Sequence, residues 1–362
     1  MSIYTTPILN INLKKLAQNY LTLKNISNPA IPSAVVKDDS YGVGAIEVAK
    51  TLYKEGCRYF FVAHAHEGAL IRPYIPEAYI FVLQGIGTDS FNTIYKYNLT
   101  PVISSINMLR FWQKNTIKDI KPIIQVETGL NRLGFTEEEL NMLSQEELSS
   151  FSFMLSHLAC GDEQAHFMNF RQLSNFKAIK NKFFQTTPCT LSASDGVFLG
   201  SDFHFDMVRL GAAIYGINTA PYRLNEMHNI IEVKAPILQI KNLNKGEFVG
   251  YSATYRTSEK IKTAIISIGY GDGIPRSLSN KGKVIFYENN TPRFCPIIGR
   301  VSMDNIICDI SKLENPQVGD YAYLINDEYT LDDIARDAGT IAYEILSNLG
   351  KGTRYIKTYQ TD

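Results

Sequence analysis

The sequence has no excess of charge of either sign and no long apolar stretch. Lysine plus arginine and aspartate plus glutamate each total 36 among 362 residues, so the formal net charge is zero. Binding along a nucleic-acid backbone needs a basic surface, and basic residues never cluster beyond a pair here. The longest apolar runs, such as Ala78–Leu83, fall far short of the ~20 residues that span a bilayer. Nucleic acid and membrane are therefore not expected as partners.

Cysteine is also scarce. Five cysteines stand at positions 57, 160, 189, 295 and 308, an odd number without Cys-x-x-Cys spacing. This pattern predicts reduced thiols in a cytoplasmic protein and no zinc cluster. The residues up to Lys15 also lack the basic start and apolar stretch of a secretory signal peptide, so none is expected.

The length favours two domains, and the first half of the chain contains eight short apolar runs. Each run is continuous, as in parallel strands that are covered on both faces, and amphipathic stretches with helical spacing separate the runs. The eight predicted strands are Ser33–Lys37, Arg58–His64, Ala78–Gly85, Leu99–Ser104, Lys121–Thr128, Ser150–His157, Pro188–Ala193 and Phe205–Leu210. Residues 1–228 are therefore predicted to form a (β/α)8 barrel of the TIM type.

From Asn229 onward the apolar period changes to two, as in Ala235–Lys241, and turn residues separate the segments. Alternation of this kind predicts strands with one buried face. Residues 229–362 are predicted to form a mainly β domain, so the fold class is α/β with a barrel followed by that domain.

Reactive side chains stand where a barrel places its working residues, at the carboxyl ends of strands and in the loops that follow. Lys37 ends the first predicted strand, and burial there would lower the pKa of its amine and make it nucleophilic. Four further residues occupy corresponding positions: Arg132 and Ser194 follow the fifth and seventh predicted strands, and His157 and Arg209 stand at the ends of the sixth and eighth. A solvated lysine just beyond the strand is the simpler interpretation of Lys37 taken alone.

The eighth strand leads directly into a segment suited to phosphate. The backbone N–H groups of Gly211 and Ala212, with the Ser194 hydroxyl, fit the phosphate site that barrels build from their last two loops. A helix cap with turn glycines is the alternative. A lysine able to form a Schiff base, combined with a phosphate site, points to pyridoxal phosphate.

Seven segments in order resemble the motifs of alanine racemases, beginning with the lysine segment. They are Ala34–Gly44, Glu127–Gly134, Ser156–Ala159, Val208–Gly211, Gly250–Tyr255, Ile268–Gly273 and Gly299–Asp304. The resemblance covers nearly the whole chain and both predicted domains. It implies a cytoplasmic homodimer that uses pyridoxal phosphate to interconvert L- and D-alanine and supplies D-alanine for peptidoglycan.

The resemblance also implies a role for each matched residue. Lys37 would hold the cofactor as a Schiff base and act as one base, and Tyr255, from the partner subunit, would act as the other. The remaining cofactor ligands would be Tyr41, His157, Ser194, Arg209, Gly211 and Ala212. The substrate would be bound by Arg132, Met303 and Tyr270.

Two departures from the family pattern concern the support of these residues. Gln125 stands where some relatives carry a lysine whose carbamate supports the substrate arginine, so Arg132 is expected to have different support. Asp38 and Asp39 add two negative charges beside Lys37, where small or amide residues are commoner.

Several other functions remain open at this stage. His64 and His66 have the H-x-H spacing of metal-dependent hydrolase barrels, with His157 and Asp162 as further ligands. A single-domain barrel that carries pyridoxal phosphate without turnover would lack the second domain. A fold-related amino-acid decarboxylase would favour a carboxylate over Arg209 at the ring nitrogen. A racemase of another amino acid, such as serine, would share the motifs.

Overall fold

The computed structural model describes residues 5–115, 120–349, 351 and 354–361. Two compact units divide the chain. The barrel unit comprises Leu16–Ser40 and Gly44–His228, and the β unit comprises the residues through Lys15, Tyr41–Val43 and those from Asn229 onward. Within the described ranges, no helix has the length and apolar character needed to cross a membrane.

Eight parallel strands form the barrel. Consecutive strands are neighbours, and the last strand pairs with the first. The strands are Ile31–Val35, Tyr59–Val62, Tyr79–Val82, Thr100–Ile103, Ile123–Gln125, Phe153–Leu155, Cys189–Thr190 and Met207–Leu210. A parallel bridge between Ala193 and Arg209 joins the seventh strand segment to the eighth and completes the ring. The predicted barrel is confirmed, with shorter strands than the apolar runs suggested.

One helix of the first 228 residues precedes these strands, and the others lie between them. They are Leu13–Ile26, Ala45–Lys54, Ala65–Ile71, Phe91–Lys96, Ile106–Lys114, Glu137–Asn141, Gln145–Ser149 and Phe167–Phe183. The Asn12 side chain caps the first helix by accepting the Lys15 N–H at 2.8 Å. Only two short 3-10 segments, Gly196–Leu199 and Ser201–Phe203, follow the seventh strand. The connection from the seventh strand to the eighth, all of which the structure describes, therefore contains no α-helix.

The first strand ends at Val35, so the prediction that this strand runs to Lys37 is wrong. Residues Asp38, Asp39, Ser40 and Tyr41 have φ angles of 52 to 56°. These angles belong to the left-handed region and do not continue a strand. Lys37 therefore begins a left-handed turn beyond the strand end.

The β unit is built on the 13-residue strand Ile231–Leu243. Its antiparallel neighbours are Ile8–Asn12, Ile261–Ile266 and Tyr321–Ile325. The other strands of the unit are Phe248–Val249, Tyr255–Arg256, Lys283–Glu288, Thr291–Pro296, Ile306–Asp309 and Ile356–Gln360. The mainly β second domain is confirmed.

The first strand of the chain belongs to this sheet, although residues 1–228 were predicted as barrel. Ile8–Ile11 pair with Ile231–Lys234 on one side, and Ile8–Asn12 pair with Ile356–Gln360 on the other. Two helices, Leu331–Ala338 and Ala342–Leu349, complete the unit. Thr330 caps the first of them by accepting the Asp333 N–H.

Candidate active site

Lys37 lies half-buried at the start of the left-handed turn. Burial lowers the pKa of its amine, and the positive charge of Arg132 lowers it further. Glu67 and Asp38 act in the opposite direction, and Arg209 adds a weaker lowering effect. A lysine whose pKa is lowered in this way keeps a larger neutral fraction, which is the nucleophilic form.

Arg209 is 5% exposed and is hydrogen-bonded to several buried groups of the barrel unit. Its guanidinium donates to the Thr190 hydroxyl at 2.7 Å and to the backbone carbonyls of Ser156 at 2.6 Å and Leu191 at 3.0 Å. Burial lowers its pKa to about 10, so it stays charged at neutral pH. Its Nη2 lies 3.3 Å from His157 Nδ1.

His157 is held neutral by this environment. Burial lowers the pKa of its imidazole to about 3, and the positive charges of Arg209, Arg132 and Lys37 contribute in that order. These four predicted site residues therefore lie close enough to influence one another's charge. A neutral ring at this position presents a flat, uncharged surface, which suits stacking against an aromatic ligand.

Arg132 lies in a loop whose backbone is hydrogen-bonded to the side chains of Glu127 and Gln125. The Glu127 carboxylate accepts the N–H groups of Gly129 and Arg132. Gln125, only 6% exposed, donates from its amide to the Leu133 carbonyl at 3.0 Å. Gln125 thus holds the backbone of Leu133, the residue after Arg132.

Ser194 and Gly211, both predicted to bind phosphate, are in direct contact. The buried Ser194 hydroxyl oxygen accepts the N–H of Gly211 at 2.8 Å and that of Ala213 at 3.3 Å. Ala212 begins the 3-10 segment Ala212–Tyr215 directly after Gly211. Since the hydroxyl oxygen accepts both N–H groups, its own hydrogen can be donated to a ligand oxygen.

In the β unit, the segments that carry Tyr270 and Met303 are joined through their backbones. The Tyr270 N–H donates to Ser302 O at 2.9 Å, and the Gly271 N–H donates to Met303 O at 2.8 Å. A Cβ on Gly269 would overlap both acceptor carbonyls. The Tyr270 and Met303 side chains are 42% and 51% exposed in the chain.

An ion-pair network braces the same two segments. The Arg354 guanidinium lies 2.6 Å from Asp272 Oδ1 and 2.6 Å from Asp304 Oδ1. Asp272 is 3% exposed and also accepts the Gly269 N–H at 2.8 Å. Arg354 and these two aspartates were not predicted as site residues from the sequence, although both aspartates stand inside the matched motifs.

Tyr255 begins the second strand of a small hairpin, paired with Val249. Its side chain packs against the buried Val249, Ile261 and Ile298. A Cβ on Gly299, whose φ is +74°, would lie 2.8 Å from Val249 O. The absence of that Cβ lets the 299–304 motif approach the hairpin that carries Tyr255. The motifs at 250–255, 268–273 and 299–304 therefore come together in the β unit.

Tyr41 belongs to the β unit by its contacts, whereas Lys37 belongs to the barrel unit. The structure therefore groups the predicted residues in two sets. The barrel unit holds Lys37, Arg132, His157, Ser194, Arg209, Gly211 and Ala212, and the β unit holds Tyr41, Tyr255, Tyr270 and Met303.

The H-x-H pair of the hydrolase alternative stacks its rings, with centroids 5.6 Å apart. The cluster of metal-binding side chains among the described residues consists instead of Cys160, Glu163 and His166. His166 Nδ1 already accepts the Met168 N–H at 3.2 Å as the cap of the following helix. The predicted ligands His64, His66, His157 and Asp162 do not form that cluster.

Comparison with known proteins places both units in one family. The alanine racemase N-terminal domain matches residues 11–219, and the alanine racemase C-terminal domain matches residues 230–359. A catabolic alanine racemase of Agrobacterium fabrum is 39% identical over 97% of this chain and 91% of its own.

Solved structures agree with this assignment. The Bartonella henselae alanine racemase structure, described with covalently bound pyridoxal phosphate, has a TM-score of 0.91 and 37% identity over 98% of this chain and 100% of its own. The biosynthetic alanine racemase of Pseudomonas aeruginosa has a TM-score of 0.90 and 26% identity, covering 99% and 100% of the two chains. The chain belongs to the alanine racemase family, whose members are pyridoxal-phosphate-dependent isomerases.

Proposed function

We propose that this chain interconverts L- and D-alanine by two-base proton transfer, with pyridoxal phosphate bound to Lys37. Lys37 Nζ removes or returns the Cα proton on one face of the substrate, and the Tyr255 hydroxyl does so on the other face. The observation that carries the proposal is the half-buried Lys37, whose pKa is lowered by burial and by Arg132, in a chain that matches the family in both units.

The residues of the barrel unit fit the cofactor chemically. The Ser194 hydroxyl and the Ala212 N–H would donate to the phosphate. The Gly211 N–H would position the Ser194 hydroxyl, to whose oxygen it donates. Tyr41, which belongs to the β unit, would add its hydroxyl as a further donor. The His157 imidazole, which is neutral at physiological pH, would flank the cofactor ring. When bound, pyridoxal phosphate withdraws electrons from the substrate Cα and so acidifies its proton.

Arg209 faces the ring nitrogen in this proposal. A guanidinium has no acceptor and remains charged, so it leaves the pyridine nitrogen unprotonated. Arg209 would thereby limit electron withdrawal by the cofactor ring, so that return of the proton to Cα would be favoured over its transfer to the cofactor. This favours racemisation over transamination and over decarboxylation, which benefits from a protonated ring.

Substrate binding and the second base involve the β unit. In this proposal, Arg132 and the Met303 N–H receive the alanine carboxylate, and Tyr270 contributes to the same substrate site. We propose that the β unit of one subunit serves the barrel of its partner in a homodimer. The exposed Phe248, Tyr251 and Met303, at 60%, 70% and 51% exposure, support this because aromatic residues and methionine are enriched at subunit interfaces.

We assign the product D-alanine to peptidoglycan synthesis, and the reaction to the cytoplasm. Each of the five cysteines is a free thiol, in keeping with a reducing compartment. Relatives are named both catabolic and biosynthetic, so the physiological direction depends on the cell's demand for each enantiomer.

The reaction is tested by following the circular dichroism of L-alanine, D-alanine, L-serine and other amino acids after adding enzyme and pyridoxal phosphate. We expect both alanine enantiomers to approach a racemic mixture, with serine slower, and no release of carbon dioxide. Faster racemisation of serine would identify a different substrate. Loss of the carboxyl group would identify a decarboxylase.

Lys37→Ala tests the cofactor lysine. We expect it to abolish activity, absorbance near 420 nm and borohydride-stable labelling, because no other amine is proposed to form the Schiff base. Borohydride-stable labelling that persists in this variant would show that another lysine holds the cofactor.

Tyr255→Phe tests the two opposed bases. The variant should still bind the cofactor, but α-proton exchange in deuterated water should fall far more for L-alanine than for D-alanine, by roughly 100-fold or more. Equal losses for the two enantiomers would mean that one base serves both faces or that Tyr255 only supports the structure.

A further inference from the structure

The turn after Lys37 has a backbone conformation that needs external support. Asp38 to Tyr41 are four consecutive residues with φ between 52 and 56°. This region is strained for a non-glycine residue, so the turn persists only where surrounding bonds determine it. Within the turn, the Ser40 N–H donates to Val36 O at 3.1 Å, and Asp39 Oδ1 accepts the Ala45 N–H at 2.7 Å.

The backbone of Asp38, the residue after Lys37, is hydrogen-bonded to a side chain that belongs to a different strand connection. Glu67 Oε1 accepts the Asp38 N–H at 2.6 Å. Glu67 Oε2 accepts the Ala63 N–H at 2.6 Å and the His64 N–H at 3.0 Å. One carboxylate thus joins the connection after the first barrel strand to the connection after the second.

Capping of the helix Ala65–Ile71 explains only part of this arrangement. Glu67 is the third residue of that helix, and its bond to the His64 N–H is the usual contact of a capping box. The Oε1 bond to Asp38 contributes nothing to the cap. Each of the two oxygens accepts from a different connection, and each bond is charge-assisted and therefore stronger than a neutral one.

We propose that Glu67 is a positioning residue for Lys37, acting as a clamp that fixes the backbone from which the lysine side chain projects. The inference rests on the proposed function, because the task of Lys37 comes from there. The negative charge of Glu67 has a second, separable effect, since it favours the protonated form of the Lys37 amine.

Three variants separate the clamp from the charge. Glu67→Gln removes the charge and leaves a single acceptor oxygen, with an amide NH2 facing backbone donors. Asp38→Asn removes a charge that also raises the Lys37 pKa but leaves both Glu67 oxygens in place. Glu67→Asp keeps the charge and shortens the side chain by one methylene, so that it no longer spans both connections.

The main measurement is the rate at which cofactor-free enzyme captures pyridoxal phosphate, followed near 420 nm as a function of pH. We expect the pH midpoint to fall in Glu67→Gln and Asp38→Asn, because both lose a charge that stabilises the protonated amine. Only Glu67→Gln and Glu67→Asp should lose rate on the high-pH plateau, by roughly 10- to 100-fold, because misplacement rather than protonation limits them.

Alanine exchange adds a second readout. In the two clamp variants, exchange from D-alanine, the face served by Lys37, should fall more than exchange from L-alanine. General unfolding would lower both equally. The proposal would be overturned if Glu67→Gln and Glu67→Asp captured the cofactor at the wild-type rate on the high-pH plateau. It would also be overturned if these variants lost exchange from L-alanine and D-alanine equally.

Amide hydrogen exchange of a peptide covering residues 34–44 keeps the test independent of the cofactor. We expect faster exchange of this peptide in Glu67→Gln and Glu67→Asp than in wild type or Asp38→Asn. If the wild type forms no adduct at Lys37, the proposed function fails, while this exchange still decides whether the clamp exists. Unchanged exchange in both Glu67 variants would show that there is no clamp.

Discussion

Among single residues, His157 couples the stability of the fold to pH. Its pKa is lowered to about 3, against ~6.5 for an unfolded histidine. Between these values the unfolded chain binds a proton that the folded chain does not. The free energy of unfolding therefore falls as the pH decreases from about 6.5 towards 3, and the full contribution of the neutral imidazole is present above that window.

His157→Asn isolates this effect, since its amide oxygen still accepts from Arg209. Between pH 7 and pH 5.5, the wild type should lose about 1 kcal/mol of unfolding free energy relative to the variant. Denaturation of the cofactor-free proteins at the two pH values measures the difference. Parallel losses in both proteins would mean that His157 is protonated in the folded state.

Among the structural elements, the segments that carry Tyr270 and Met303 can meet only because residue 269 is a glycine and has no Cβ. The φ of Gly269, −154°, is open to any residue, so only the overlap of a Cβ with the carbonyls of Ser302 and Met303 requires glycine. Gly269→Ala should separate the two segments. We expect kcat/KM for alanine to fall by at least roughly 10-fold, because the Met303 N–H is displaced from the substrate carboxylate.

Gly319→Ala is the matched control for that change. Gly319 has φ +97°, and a Cβ added there would meet no atom within 4 Å, so alanine costs backbone strain of roughly 1–2 kcal/mol without steric overlap. It should lower Tm and leave kcat/KM at the wild-type value. Equal kcat/KM for the two glycine variants, at similar losses of Tm, would refute a specific role for the Gly269 contact.

For the molecule as a whole, the proposed homodimer predicts complementation. Lys37→Ala and Tyr255→Phe are each severely impaired alone, since each lacks one base. After reversible dissociation and mixing, one of the two sites in a mixed dimer would combine Lys37 from one chain with Tyr255 from the other. Activity should therefore return to about a quarter of the wild-type value, because random exchange makes half of the dimers mixed.

The control for complementation is subunit exchange measured with differently tagged chains. Exchange without recovery of activity would show that each site is built within one chain. Mixtures prepared without dissociation should stay as impaired as the separate variants.

The barrel, the β domain and the family could be predicted from the sequence, because these depend on local periodicity and on short motifs. Eight continuous apolar runs are enough to indicate strands covered on both faces, and Lys37, Ser194 and Gly211 are recognisable from their positions after those strands. The Thr330 cap could likewise be predicted, since donor and acceptor are three residues apart.

The groups that support the site from distant parts of the sequence could be identified only from the folded structure. Glu67 looks like a helix cap in the sequence, and only the neighbouring strand connection brings the Asp38 N–H to its second oxygen. The sheet that takes up Ile8–Asn12 depends on partners more than 200 residues away. Likewise, the left-handed turn after Lys37 contradicts local preference. Such features arise from hydrogen bonds between residues far apart in the sequence, and residue spacing along the chain does not predict those bonds.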